Sequence, residues 1–121
     1  MNFELVTVNG VAIAVLRADT VLIGDAAAAL DLFMTAHYQT GSNRLLLDKR
    51  VFCEDFFVLS SGLAGEILQK CSNYHFKLAI VGDYSVYTSK PLHDFIYESN
   101  KGHTVFFPAT EQEGLEALCR A

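Results

Sequence analysis

The stretch Leu78-Ala79-Ile80-Val81-Gly82-Asp83 decides the fold of this 121-residue chain. Its four consecutive apolar residues are typical of a strand that is covered on both faces, as strands inside a parallel sheet are. The same pattern occurs upstream as Leu45-Leu46-Leu47-Asp48. Between the two strands lies a helical stripe formed by Leu63, Ile67, Leu68 and Cys71. A buried strand, a helix and a second buried strand predict a crossover unit on a parallel sheet.

The amino-terminal residues predict a β-hairpin. Residues 3–8 and 11–16 are rich in Val and Ile, and Asn9-Gly10 between them tolerates the positive φ angles of a two-residue turn. A first helix is predicted from about Ala26 to Thr40, with Asp25 as its cap and Gly41 as its stop. Its predicted apolar face consists of Leu30, Phe33, Met34 and His37.

The last third of the chain continues the alternation. Ser89 and Pro91 mark the start of a helix that ends before Gly102. A short strand is predicted at residues 104–107 and a closing helix at residues 111–120. The order ββαβαβαβα predicts an α/β fold with a single mixed, mostly parallel sheet of about five strands, about four helices and an N-terminal hairpin. The length predicts one domain over residues 1–121.

Composition narrows the classes of partner. Nine Lys and Arg against fourteen Asp and Glu give a net charge of −5, the opposite of what phosphate neutralisation needs, so we expect no nucleic acid. Charged residues interrupt the apolar amino-terminal third, so we expect no membrane span, and the absence of a leader pattern predicts a cytoplasmic location. Three widely spaced cysteines predict reduced thiols.

No established catalytic fingerprint is present, which favours a protein that is not an enzyme. Cys71 and His75 are four residues apart, but no second pair of metal ligands accompanies them. Cys53 precedes Glu54-Asp55, whose negative charge opposes a thiolate nucleophile. We therefore predict no catalytic residue, no metal and no cofactor.

Polar side chains follow the two buried strands. Asp48 and Asp83 come directly after them, and the carboxyl edge of parallel strands is where open α/β folds form their ligand sites. The following segment leads to a helix start, which favours an anion; it contains Tyr84, Tyr87, Ser89 and Lys90. The alternatives are a binding site and ordinary caps of loops and helices. Phe56 and Phe57 either plug the end of the sheet or place one ring in a cleft.

The stretch Leu59-Ser60-Ser61-Gly62-Leu63-Ala64-Gly65 resembles the D-S-S-G-L-G signature of STAS domains, regulators related to anti-sigma-factor antagonists. The order of elements along the chain is also similar to theirs. The resemblance implies that Ser60 matches the serine that a partner kinase phosphorylates and that Ser61 matches the next position. Leu59 stands where that signature has Asp. The alternative is that the two serines cap the following helix.

Longer blocks of the chain are similar to the bacterial domain of unknown function 4180 family. They are residues 54–57, 64–70, 77–83, 87–90 and 94–102. This resemblance implies a small bacterial protein and brings no established activity. It also implies a common surface that comprises Glu54, Asp55, Tyr87, Ser89, Lys90 and the helix at 94–100.

Two functional hypotheses follow. The first is a non-catalytic regulatory or protein-interaction module whose contact edge includes the loop after Asp48, the Ser60-Ser61 segment and the loop after Asp83, with Phe57 beside them. The second is a small-molecule or anion-binding domain, with weak enzymatic activity as a variant, built on Asp48, Asp83, Tyr84, Ser89 and Lys90. A homodimer through a helix face or an exposed sheet edge is a further expectation.

Overall fold

The computed structural model describes residues 2–121. Its five strands form one sheet in the order β1-β2-β3-β4-β5. The strands are β1 (Phe3–Val8), β2 (Val11–Leu16), β3 (Arg44–Asp48), β4 (Lys77–Val81) and β5 (Val105–Phe106). The helices are α1 (Ala26–Thr40), α2 (Leu63–Tyr74), α3 (Lys90–Lys101) and α4 (Glu111–Arg120). The α/β class, the mixed and mostly parallel sheet and the N-terminal hairpin are confirmed.

The hairpin forms around the predicted turn. Asn9 and Gly10 both have positive φ, at 50° and 80°, which is the conformation of a type I′ turn. The antiparallel pairing runs from Val8 opposite Val11 to Phe3 opposite Leu16. The turn therefore fixes which side chains of β1 and β2 share a face of the sheet.

The parallel part of the sheet separates two cores. Each of α1, α2 and α3 connects one parallel strand to the next, and the side chains of Leu45 and Leu47 belong to the core beneath these crossover helices. Leu46, which points the other way, belongs to a smaller core with Leu115 and Leu118 of α4. Both faces of β3 are covered, which explains its uninterrupted apolar sequence.

The caps of α1 are confirmed, but its buried face differs from the predicted one. The Asp25 carboxylate accepts a 2.7 Å hydrogen bond from the Ala28 backbone N–H, and Gly41 ends the helix at φ 78°. The buried residues of α1 are Ala26, Ala29, Leu32, Phe33 and Ala36. Met34 is instead 41% exposed. Three of the five buried residues are alanines, whose small side chains allow a helix to pack closely on a sheet.

The connection from β3 to α2 is more ordered than the sequence indicated. It folds into three 3₁₀ turns, at Lys49–Val51, Glu54–Phe57 and Leu59–Ser61. A parallel bridge between Ile23 and Phe52 ties this connection to the loop after β2. Within residues 2–121, no helix combines the length and the apolar character needed to cross a bilayer.

Candidate functional site

The carboxyl edge of the parallel strands gathers the loops that follow β2, β3 and β4. Asp48 stands opposite Val81 in the β3–β4 register, so Asp83 lies two residues beyond the same edge. The structure thus places both aspartates at one rim of the sheet, as their positions after buried strands predicted.

Asp48 is engaged by its own loop. Its Oδ1 accepts hydrogen bonds from the Arg50 backbone N–H at 2.8 Å and from Arg50 Nε at 3.0 Å, and its Oδ2 accepts one from the same guanidinium at 3.1 Å. Burial pushes the pKa of Asp48 upward, but the hydrogen bonds and charge of Arg50 outweigh it and hold the pKa below its ordinary value. The carboxylate therefore stays ionised and caps the first 3₁₀ turn.

Asp83 is engaged in the same way by the next loop. Its Oδ1 accepts hydrogen bonds from the Ser85 hydroxyl at 2.6 Å and from the Ser85 backbone N–H at 3.0 Å. These bonds lower the pKa of Asp83. Each carboxylate is thus hydrogen-bonded within its own turn. In the described part of the chain, no three His, Cys, Asp or Glu side chains cluster as metal ligands.

Lys49 joins the two loops, and the sequence pattern did not single it out. Its Nζ donates to the Asp83 carbonyl oxygen at 3.3 Å and to the Tyr87 hydroxyl at 3.2 Å. The ammonium also lies 4.7 Å from the centroid of the Tyr87 ring, within the range of a cation–π contact. Lys49 therefore connects the loop after β3 to the loop after β4.

An aromatic cluster fills the space beneath these loops. Phe56 and Phe57 are both buried, and their rings meet edge to face at 5.0 Å. Phe56 packs on Phe52 at 4.6 Å, whereas Phe57 stacks on Tyr87 at 5.2 Å. A 3₁₀ turn lets adjacent residues both reach the core, which a strand could not do. The Phe pair plugs the end of the sheet, and the edge of Phe57 also borders a surface groove.

Tyr84 belongs to this cluster and is turned inward. Its hydroxyl donates a 2.5 Å hydrogen bond to the Ile80 carbonyl oxygen. Burial raises the pKa of Tyr84, and the neighbouring Tyr87 and Asp48 raise it further. The Tyr84 hydroxyl is thus used in a hydrogen bond within the chain and is not directed outward at the edge of the sheet.

The two serines of the STAS-like stretch have different environments. The Ser61 hydroxyl donates to the Asp55 carbonyl oxygen at 2.6 Å and accepts from the Leu63 backbone N–H at 3.3 Å, so it helps to satisfy the start of α2. The cap residue itself is Gly62, at φ 81°. Ser60 is exposed. Its phosphorylation stays a prediction.

An apolar groove of about 490 Å³ connects the serine segment to the start of α3. Its lining residues are Phe57, Val58, Leu59, Ser60, Ser89 and Pro91. The Ser89 hydroxyl accepts a hydrogen bond from the Leu92 backbone N–H at 3.3 Å and so acts as the predicted cap. Lys90 pairs with Asp94 at 2.7 Å, both side chains being exposed. Glu54 and Asp55 are exposed on the second 3₁₀ turn.

A second, more polar cleft of about 450 Å³ lies at the same edge, beside the start of α4. Arg17 donates to Glu111 through Nη1 and Nη2, at 2.5 and 3.2 Å, and its Nε donates to Glu4 at 3.0 Å. The remaining lining residues are Leu16, Ala18, Asp19, Leu46, Asp48, Arg50 and Val81. The position of Arg17 directly after β2 was the sequence signal that could have revealed this cleft.

The chain therefore has an α/β fold in which the loops after β2, β3 and β4 lie at one edge of the sheet and are tethered to one another. The family model described as "Domain of unknown function (DUF4180)" matches residues 8–118. The chain belongs to this family. Comparison with curated proteins and with solved structures gave no match, so the similarity to STAS domains stays a prediction.

Proposed function

We propose that this chain is a non-catalytic regulatory or protein-interaction module that contacts its partner through the carboxyl edge of the sheet. The observation that carries the proposal is a set of exposed aliphatic side chains on three successive loops. We call this set the apolar rim; it comprises Val21, Leu22, Val58 and Val86. Val58 is 50% exposed and Val86 is 62% exposed, although both lie beside a well-formed aromatic core.

The three loops that carry the apolar rim are tethered to one another. The Ile23–Phe52 bridge fixes the loop after β2 to the loop after β3, and the stacking of Phe57 on Tyr87 fixes that loop to the next. A preorganised apolar surface loses little conformational freedom when it binds, and this favours recognition of another macromolecule.

The polar groups of the edge support the same conclusion. Asp48, Asp83 and the Tyr84 hydroxyl are each hydrogen-bonded within the chain. The cleft contains Asp48 and the groove contains Ser89, but neither cavity contains Asp83, Tyr84 or Lys90. One deep pocket that joined these side chains would have favoured the small-molecule hypothesis.

Site-specific photo-crosslinking tests the proposal. A photoreactive residue replaces Val58 or Val86, and in the control it replaces Tyr38, which is 90% exposed near the end of α1 at the opposite edge. We expect both edge positions to give the same protein adduct in the cells of origin, and Tyr38 not to give it. Val86→Asp should abolish the Val58 adduct, whereas the matched Tyr38→Asp should leave it. Identical labelling from all three positions, or none from the edge, would contradict the proposal.

The polar cleft supports a second candidate function, which is binding of a small molecule. Its volume of about 450 Å³ lies within the usual range for ligand sites. Its lining combines ion-paired side chains with the apolar residues Leu16, Leu46 and Val81. Thermal-shift screening of metabolites tests this candidate. A specific ligand should lose its shift in Arg50→Ala and keep it in the control Lys90→Ala, since Lys90 lies outside the cleft.

A further inference from the structure

The edge strand β1 leaves backbone hydrogen-bonding groups without partners. In a two-residue hairpin the residues that flank the turn exchange hydrogen bonds, so Val8 and Val11 form a hydrogen-bonded pair. Hydrogen-bonded and non-hydrogen-bonded pairs then alternate along the two strands. The backbone N–H and C=O groups of Phe3, Leu5 and Thr7 therefore point away from β2. No hydrogen bond from elsewhere in residues 2–121 reaches them.

This edge lacks the usual protection against pairing. β1 has six residues, no proline and a single charged residue, Glu4, whose carboxylate is held by Arg17. Leu5 at its centre is 49% exposed. Edge strands are normally blunted by shortness, prolines or inward charges. The opposite edge follows that rule, because β5 has only two residues.

We propose that β1 pairs with β1 of a second copy of this chain, antiparallel and centred on Leu5. In this register Leu5 stands opposite Leu5 of the second copy, and Phe3 stands opposite Thr7 in both directions. All three residues with outward backbone groups are then used, which gives six hydrogen bonds between the copies by the antiparallel pattern. Two five-stranded sheets become one continuous sheet.

The faces and charges of the strand select this register. Phe3 packs against the core beneath the crossover helices, while Val6 and Val8 pack against the core beneath α4, so Leu5 shares the face of Phe3. Centring on Leu5 matches like faces and places Glu4 opposite Val6. Centring on Glu4 would oppose two carboxylates, which is unfavourable. Centring on Val6 would use only the outward groups of Leu5 and Thr7, and so form fewer hydrogen bonds.

A second copy fits this edge better than an open-ended assembly. Pairing of β1 with β1 is self-complementary and closes at two copies. Head-to-tail growth would need β1 to pair with β5, whose two residues cannot match a six-residue strand. The apolar rim lies on the loops after β2, β3 and β4, so this dimer leaves it open.

Analytical ultracentrifugation of the full chain, combined with hydrogen exchange, tests the proposal. We expect a species of twice 13.4 kDa at high concentration. The amides of Leu5 and Thr7 should gain protection with concentration, whereas that of Val6, already bonded to β2, should not change. Leu5→Pro removes an outward N–H that the monomer does not use. It should weaken dimerisation about 30-fold through the two lost hydrogen bonds, at about 1 kcal/mol each.

The matched control is Leu5→Val, which keeps the N–H and should stay dimeric. A wild-type chain that is monomeric at about millimolar concentration would overturn the proposal. So would a dimer in which the Leu5 and Thr7 amides exchange at concentration-independent rates, or a folded Leu5→Pro protein that dimerises normally. If Leu5→Pro does not fold, the exchange pattern of the wild-type protein still decides the question.

Discussion

The side chain of Lys49 lies directly against Gly82. A Cβ atom added to Gly82 would stand 2.5 Å from Cδ and 2.7 Å from Cγ of Lys49, closer than non-bonded carbon atoms approach one another. The lysine can reach Asp83 and Tyr87 only because position 82 carries no side chain. The tether between the loops after β3 and β4 thus depends on a glycine that has no unusual backbone conformation.

Gly82→Ala should therefore displace Lys49 and break its two hydrogen bonds to the neighbouring loop. We expect the free energy of unfolding to fall by about 1–2 kcal/mol, as measured by urea denaturation. The same substitution in a Lys49→Ala background should cost clearly less, because the obstructing stem is gone. Equal costs in the two backgrounds would show that the contact does not determine the effect.

The packing around Gly114 of α4 leads to a similar prediction for the smaller core. A Cβ there would lie 2.9 Å from Leu46 Cδ1 and 3.2 Å from Pro108 Cγ. Gly114→Ala should destabilise the protein by about 1–3 kcal/mol through overpacking, despite the better helix propensity of alanine. Gly65 of α2 has nothing within 4 Å of its hypothetical Cβ, so Gly65→Ala should stabilise by up to about 1 kcal/mol. Thermal unfolding of the two variants should show shifts of opposite sign.

Cys71 should be inert in the folded protein. It is fully buried in α2, and burial raises the pKa of its thiol to about 12, so almost no thiolate is available at neutral pH. Cys53 and Cys119 are partly exposed. We expect an aromatic disulfide reagent to label Cys71 only after denaturation, as measured by peptide mass spectrometry. Labelling of Cys71 at the rate of Cys53 under native conditions would contradict this.

The elements of this fold could be predicted because their signals are local. Asn9-Gly10 specifies a turn by itself, and Asp25, Ser89 and Gly41 mark helix ends through their own backbone or side-chain chemistry. The face of α1 could not be predicted in this way. Apolar periodicity ranks Met34 above Ala29, whereas the packing of a helix on a sheet selects the residue small enough to fit.

The candidate site, like the fold, could be predicted from the sequence only where the signal is local. The pattern of buried strands placed Asp48 and Asp83 at one edge, since strand ends follow from periodicity. The contacts made there depend on tertiary structure, as between Arg17 and Glu111, which are 94 residues apart in sequence. Lys49 is adjacent to Asp48, but its role depends on a glycine in another loop. Sequence therefore predicts which loops meet, and tertiary packing decides which groups remain available.

Low pH should destabilise the protein at this edge of the sheet, because it protonates Asp48. Its folded-state pKa lies below the ordinary value despite burial, because Arg50 donates to the carboxylate. A carboxyl group with a lowered folded pKa contributes stability above its unfolded pKa of about 3.9, and this contribution is lost as the pH falls through the folded pKa. Asp48→Asn keeps an acceptor for the Arg50 backbone N–H but does not titrate. We expect it to be less stable than wild type at pH 7 by less than about 1 kcal/mol, because the Arg50 side chain is largely exposed.

The pH dependence of this difference is the decisive measurement. Urea unfolding between pH 7 and about pH 2 should show the wild-type and Asp48→Asn free energies converging as the pH falls below about 4, because the wild-type carboxyl becomes neutral there. Arg50→Ala should lose the part of this contribution that the guanidinium provides, and should keep the part that comes from the backbone N–H of residue 50 and from Lys49. If the Asp48→Asn curve runs parallel to wild type across the whole range, the Asp48–Arg50 pair adds no pH-dependent stability. The loop after β3 would then be held by Lys49, the aromatic cluster and the Ile23–Phe52 bridge.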